Sequence, residues 1–323
     1  MAAFIHTVPR TCVIGGSGFI GRRVLRLLIE HGRNVVVVGR RTESPFDPSI
    51  EYHSVRVDDA RGLTAVLRSA DEVIDVAYST WPQTSFQDPV KDILENLTQS
   101  VRNFEALIDT GVRRVVYVSS GGTVYGQAVE TPIREDHPTN PVSPYGITKL
   151  AIEKYGQMFH ATKGLPLIVV RPSNAYGEGQ QPFRGQGFIA TAIATCLRGD
   201  PIKVFGVEGA TRDYIHVDDV ASGIVAALLH GRAGEAYNVG TGLGTTNIDI
   251  LNQLRPMLSA AGRDIDIEFL PARSFDVKVN ILDADKLFRA SGWRAAVTLN
   301  TGLRRTLEWI SAEPATVDPS RGP

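Results

Sequence analysis

The stretch that most constrains this 323-residue chain is Gly15-Gly16-Ser17-Gly18-Phe19-Ile20-Gly21. Residues 10–14 before it form a short apolar run with the look of a strand. Residues 22–31 after it carry leucines at helical spacing, and Gly32 stops that helix. Residues 35–38 are an unbroken valine run that reads as a buried strand. Strand, glycine loop, helix and strand make a βαβ unit. Glycines at 15, 18 and 21 let the loop turn tightly and let backbone N–H groups approach a pyrophosphate at the helix N-terminus. A glycine triplet alone is weak evidence. In this setting it predicts a dinucleotide site.

The end of the second strand bears on which dinucleotide. A cofactor without a 2′-phosphate usually meets an Asp or Glu there, but this chain has Gly39-Arg40-Arg41. A small residue makes room and two guanidiniums suit a phosphate, so the residues favour NADP over NAD. Two exposed loop arginines would read the same way.

Strand and helix keep alternating. Residues 52–57 read as a strand ending at Asp58-Asp59, where a carboxylate could accept from the adenine amino group. A helix is expected over 63–70, a strand over 72–77, a long helix over about 89–110 and a strand over 112–119. The last strand closes on Ser119-Ser120-Gly121-Gly122-Thr123-Val124-Tyr125-Gly126. Repeated βα units predict an α/β, Rossmann-type doubly wound parallel sheet with ligands at its strand C-terminal ends.

Tyr145 and Lys149 follow that sheet strand. Ser143 and Pro144 read as an N-cap and first-turn proline, which puts the pair on one helix face, a turn apart. An ammonium beside a phenol favours the phenolate, so Tyr145 could trade a proton near neutral pH. A solvated helix face is the plain alternative. The position, facing the nicotinamide end of the cofactor, favours the catalytic reading.

Composition excludes several classes. A net charge of −1 argues against a general nucleic-acid or membrane-surface binder. Cys12 and Cys196 fit a reducing cytoplasm rather than a disulfide framework, and seven scattered histidines show no metal-ligand spacing. No charged start leads into an apolar run, and no apolar run approaches the ~20 residues of a membrane span.

Taken together these motifs resemble the extended short-chain dehydrogenase/reductases, specifically the nucleotide-sugar epimerase/dehydratase branch typified by UDP-glucose 4-epimerase. The resemblance spans about residues 10–310. It includes the glycine loop, Asn96, Ser119-Ser120, Val124-Tyr125-Gly126 and Ser143-Pro144-Tyr145-Gly146 with Lys149. Arg171-Pro172-Ser173-Asn174-Ala175-Tyr176-Gly177, Arg212 to Asp219, Tyr237-Asn238-Val239-Gly240 and Gly292-Trp293 continue it. It implies Tyr145 as acid/base and Lys149 as its electrostatic partner and ribose anchor. It implies cofactor contacts at Gly15, Gly18, Phe19, Ile20, Gly21, Ala77, Asn96, Ser119 and Pro172, to which the residues' own chemistry adds Arg40, Arg41 and Asp58. Asn174, Arg212 and Arg273 would hold the nucleotide sugar, the two arginines on its diphosphate.

Three departures stand out. Phe275 replaces a family glycine near Arg273. Gly121 stands where relatives carry a Ser or Thr on the reacting hydroxyl, leaving Thr123, with Ser120 behind it, to take the role. Gly39-Arg40-Arg41 is unlike the NAD-holding pattern of the epimerases.

The implied reaction is a 4-epimerisation through a transient 4-ketosugar. The runner-up is an NADPH-dependent reductase of a 4-keto-6-deoxy nucleotide sugar, which Arg40-Arg41 favours. A dehydratase fits less well, because Gly122 and Thr123 replace its carboxylates. A non-catalytic dinucleotide-binding protein would not need the intact Tyr145, Lys149 and Arg212. The expected layout is a dinucleotide domain over 1–175, completed by about 214–245, and a substrate domain over 176–213 and 246–310. Residues 311–323 read as a disordered tail. Helices 89–110 and 145–163 resemble the pair through which family members form homodimers.

Overall fold

A computed structural model describes residues 8–55, 60–108, 110–272 and 277–312. The chain opens with β1 (Arg10–Ile14), α1 (Phe19–Glu30), β2 (Asn34–Gly39), β3 (Glu51–Ser54), α2 (Ala60–Leu67) and β4 (Glu72–Asp75). Next come α3 (Pro82–Gln87) and α4 (Pro89–Asp92), a π-helical turn (Ile93–Leu97), α5 (Thr98–Leu107), β5 (Arg114–Val118), α6 (Pro144–Lys163) and β6 (Leu167–Pro172). Then follow β7 (Asn174–Tyr176), α7 (Phe188–Arg198), β8 (Ile202–Phe205), β9 (Thr211–His216), α8 (Val217–His230) and β10 (Ala236–Val239). The last are β11 (Gly244–Thr245), α9 (Asn247–Ala260), β12 (Ile267–Leu270), β13 (Val279–Asn280), α10 (Asp285–Ser291) and α11 (Leu299–Ala312).

Seven strands form one parallel sheet in the order β10-β6-β5-β4-β1-β2-β3. This is the expected Rossmann-type α/β sheet. Successive strand residues alternate between two cores. Val13, Val37, Val116 and Ile168 face Val24, Leu28, Ile224 and Leu228 of α1 and α8. Cys12, Val36, Tyr117 and Val169 face Leu67, Phe104 and Ile152 of α2, α5 and α6. Because both faces are covered, the strands read as continuous apolar runs. Chain order reverses between β1 and β4, which opens a crevice at their C-terminal ends.

A second sheet centres on β9, with β7 and β13 parallel to it and β11 antiparallel. β8 pairs with β12, and α7, α9 and α11 enclose a third core around Ile193, Leu254 and Leu303. Asn174 on β7 lies opposite Tyr214 on β9, so this sheet carries both Asn174 and Arg212 to the crevice.

Local boundaries differ from the sequence reading at several places; α2, expected over 63–70, is Ala60–Leu67, and β4 and β5 are shorter than expected. The long helix contains a π-helical turn around Asn96, whose side-chain amide donates to the Asp92 carbonyl at 3.0 Å. The strand expected over 52–57 is Glu51–Ser54. The last helix continues to Ala312, two residues into the expected tail, because Leu303, Leu307 and Ile310 are buried on its inner face. Residues 313–323 lie outside the described residues. Among the described residues no helix is long and apolar enough to cross a membrane, and no His/Cys/Asp/Glu cluster could hold a metal.

Candidate active site

The glycine loop leaves β1 and enters α1 across the crevice. Gly15 has φ +82°, and an added Cβ would stand 2.9 Å from the backbone of Ala77. A Cβ at Gly21 would collide with the Gly15 carbonyl oxygen, so helix and loop pack backbone to backbone. Gly18 is the N-cap and offers no side-chain cap. A Cβ there would meet only the Gly15 carbonyl, at 3.3 Å. The first-turn N–H groups of α1 are thus left for an anion that can come close.

Two cavities adjoin this loop. A smaller one of about 230 Å³ is lined by Gly15, Gly18, Gly39, Arg40, Ala77, Tyr78 and Asn96. A larger one of about 740 Å³ lies past the ends of β5, β6 and β7. Its walls include Phe19, Ile20, Ser119, Ser120, Thr123, Tyr145, Pro172, Asn174 and Arg212. The cradle that a Cβ would fill and the open helix terminus fit a dinucleotide diphosphate. Asp58 and Arg273 lie outside the described residues.

Several expected contacts have other obligations. Asn96 is buried, accepts from the Ser79 N–H at 2.8 Å, and donates to Thr80 Oγ1 at 3.1 Å and to Asp92. It ties the loop after β4 to the π-helical turn. The Ser119 hydroxyl donates to Glu153, which pairs with Arg171 at 2.6 Å, all of it buried. Gly39 lies under Tyr52, whose hydroxyl an added Cβ would meet at 2.7 Å. Arg40 and Arg41 are both exposed, but only Arg40 lines the smaller cavity. Arg41 instead offers its carbonyl to the Tyr52 hydroxyl at 2.9 Å.

Tyr145 and Lys149 occupy the first two turns of α6, which is capped by the Ser143 hydroxyl accepting from the Gly146 N–H at 3.1 Å. The expectation that the ammonium favours the Tyr145 phenolate is not met in this arrangement. Lys149 Nζ is buried, donates to the Val118 carbonyl at 2.9 Å and lies 4.0 Å from the Tyr78 ring centroid. It is 5.9 Å from the Tyr145 ring centroid. Burial, reinforced by the Asp92 charge, pushes the phenol of Tyr145 above its ordinary range. Burial likewise draws Lys149 down to about 7, against the opposing charges of Asp75, Glu153 and Asp92.

The hydroxyl missing at Gly121 has no room in this backbone. A Cβ there would stand 2.5 Å from Leu282 Cδ1 and 2.9 Å from the Arg171 carbonyl, pointing into the core. Ser120 and Thr123 line the larger cavity instead. The Thr123 hydroxyl only grazes the Ser120 carbonyl, at 3.4 Å, and remains available. Arg212 donates to the Thr211 carbonyl at 2.9 Å while its residue lines the same wall.

Sequence reasoning missed Tyr78 and Asp92. Tyr78 stacks edge-on to Tyr145, with ring centroids 4.9 Å apart, and its hydroxyl donates to the buried Asp92 at 3.3 Å. Its place just past β4, beside the reversal of strand order, is visible only in the fold.

Comparison with known proteins agrees with this geometry. Residues 11–240 match the model of the NAD dependent epimerase/dehydratase family. A UDP-glucose 4-epimerase from Mycolicibacterium smegmatis is 34% identical over 311 residues, covering 93% of this chain and 98% of that one. Two solved structures are each 31% identical and cover 94% of this chain and 99% of theirs. One is the UDP-glucose 4-epimerase of Thermotoga maritima with UDP-glucose, at a TM-score of 0.87. The other is that of Thermus thermophilus in complex with NAD, at 0.84.

Proposed function

This chain belongs to the NAD-dependent epimerase/dehydratase family and is an NAD(P)-dependent nucleotide-sugar enzyme; we propose that within the family it is a UDP-hexose 4-epimerase. The observation that carries this reading is the make-up of the larger cavity. Tyr145, Ser120, Thr123, Asn174 and Arg212 share its walls, and no carboxylate lines it among the described residues. A dehydration would need such a carboxylate to move the eliminated proton.

In this reading Tyr145 takes the proton of the C4 hydroxyl as hydride leaves the same carbon. An oxidised nicotinamide, when bound, supplies the hydride acceptor and a positive ring charge. Lys149 contributes charge beside Tyr145 and anchors the ribose. Thr123 or Ser120 orients the reacting hydroxyl, while Asn174 and Arg212, with Arg273, hold the nucleotide diphosphate. With the nicotinamide bound, the 4-ketosugar would turn over in the site and Tyr145 would return the proton, so no net redox change would occur.

The test is conversion of UDP-galactose to UDP-glucose by the purified protein with no net change in nicotinamide absorbance. Tyr145→Phe should lower that turnover by about 10²–10⁴-fold and leave cofactor binding largely intact. Near-normal turnover in the variant would remove Tyr145 from the reaction. Consumption of NADPH with a 4-keto-6-deoxy nucleotide sugar, and no epimerisation, would establish the second reading. That reductase reading, and a preference for NADP, draw their support from Arg40 at the edge of the smaller cavity. A homodimer belongs to the same proposal, supported by apolar side chains exposed on the helices over 89–107 and on α6.

A further inference from the structure

Resting on the reading of Tyr145 and Lys149 as the acid/base couple, we propose that the Tyr78 ring keeps that couple apart in this arrangement and must leave Lys149 for a dinucleotide to seat. Tyr78 lies where the two cavities meet. It lines the smaller one, while Tyr145, in edge contact with it, lines the larger. Lys149 is in neither wall. Its ammonium has the Val118 carbonyl on one side and the face of Tyr78 on another, with the Tyr117 ring centroid 5.1 Å away. An ammonium over a phenol face is attracted by the ring quadrupole, and more strongly when both are dry. Lys149 cannot meet a ribose hydroxyl while that ring covers it.

The tether on the ring is weak enough to release. The Tyr78 hydroxyl reaches Asp92 Oδ1 at 3.3 Å, longer than an ordinary O–H···O bond, and its other hydrogen bond is with the Thr148 side chain. That oxygen already accepts from Thr80 and from Asn96. Asp92 Oδ2 is buried and has no hydrogen-bond partner. The carboxylate can therefore keep its inner partners when Tyr78 departs. Cofactor binding and assembly of the Tyr145–Lys149 couple become one event, since the competent state is the one with the ring displaced.

The experiment is stopped-flow fluorescence of NADH and NADPH binding to protein freed of nucleotide, for wild type, Tyr78→Ala and Tyr78→Phe. Removing the ring should raise the association rate and the affinity about thirtyfold, the size of a desolvated cation–π contact. Tyr78→Phe keeps the ring but removes the hydroxyl's bonds with Asp92 and Thr148, so it should bind faster than wild type. It also serves should the alanine variant fail to fold. Variants that bind at the wild-type rate, or more weakly, would overturn the proposal and leave Tyr78 as a wall. If neither wild type nor variants bind any dinucleotide, the functional reading itself fails, and this inference with it.

Discussion

Gly39 is small because Tyr52 lies across it; the same tyrosine donates to the Arg41 carbonyl, and Arg41 is not part of the smaller cavity's wall. Arg40 is left as the guanidinium at that edge. A charge-assisted bond from it to a 2′-phosphate is worth about 1.5–3 kcal/mol, so NADP should bind at least about tenfold tighter than NAD. Arg40→Ala should erase most of that preference, whereas Arg41→Ala should leave it nearly intact. Paired titrations at one fixed ionic strength are the measurement, because exposed charge contacts weaken with salt. Equal affinities for the two cofactors in the wild type would mean that Arg40 points into solvent, and the reductase reading would lose its support. Gly39→Asp is a poor probe of the same point, since its Cβ must first displace the Tyr52 ring. From sequence, Gly39 read as space for a phosphate. What it makes space for first is a tyrosine from the neighbouring strand, thirteen residues on.

α6 was legible almost to the residue, because its signals are local. Ser143 caps it, Pro144 opens it, and Gly164 at φ +71° closes it. The glycine loop was legible for the same reason. The π-helical turn was not, since its cause is a buried polar cluster drawn from Thr80, Asp92 and Asn96, and no local pattern announces such a cluster. Tyr78 escaped likewise: a lone tyrosine after a strand becomes informative only once the fold sets it over Lys149. The two helices also present apolar side chains outward. Val90, Ile93 and Leu94 are exposed on one, the last at 62%, and Ile147, Tyr155 and Met158 on α6. Positions 147, 155 and 158 share a helix face, so the surface forms a stripe that a second copy of the same pair could cover. Leu94→Glu combined with Ile147→Glu should convert a dimer into a monomer in sedimentation experiments. A wild type that already sediments as a monomer at micromolar concentration would refute the dimer.

At the scale of the whole molecule, a half-buried charge network ties the parallel sheet's helices to α11. Arg305 of α11 donates to Glu178 and to Asp218, each at 2.7 Å, and Arg23 of α1 approaches the same carboxylates at 3.7 and 3.5 Å. His216, its side chain fully buried, stands at the centre. Its Nδ1 accepts from the Asp218 N–H at 3.2 Å, capping α8, and its Nε2 faces Glu178 at 2.9 Å. A backbone N–H pointing at Nδ1 requires that nitrogen to be bare, so the neutral ring is the form that fits. Burial holds the His216 pKa below its ordinary 6.5, outweighing the pull of Asp218 and Glu178. Burial raises Glu178 and Asp218, but hydrogen bonds and the charges of Arg305, His216 and, at Asp218, Arg23 prevail and hold both low. The sign follows from proton uptake. As pH falls through 6.5 the unfolded chain protonates this histidine and the folded chain resists, so stability drops, by at most about 1.4 kcal/mol per pH unit. The loss levels off below the folded pKa. The carboxylates add a second loss as pH falls from their ordinary 4.5 and 3.8 through their lower folded pKa values. Melting temperature measured from about pH 7.5 to 3 at constant ionic strength should therefore fall in two stages, the first by at most about 2 °C per unit. His216→Gln, whose amide can accept from Asp218 and donate to Glu178 without titrating, should flatten the first stage and keep the second. A variant that melts in step with the wild type from pH 6.5 downward would show that the acid sensitivity arises elsewhere.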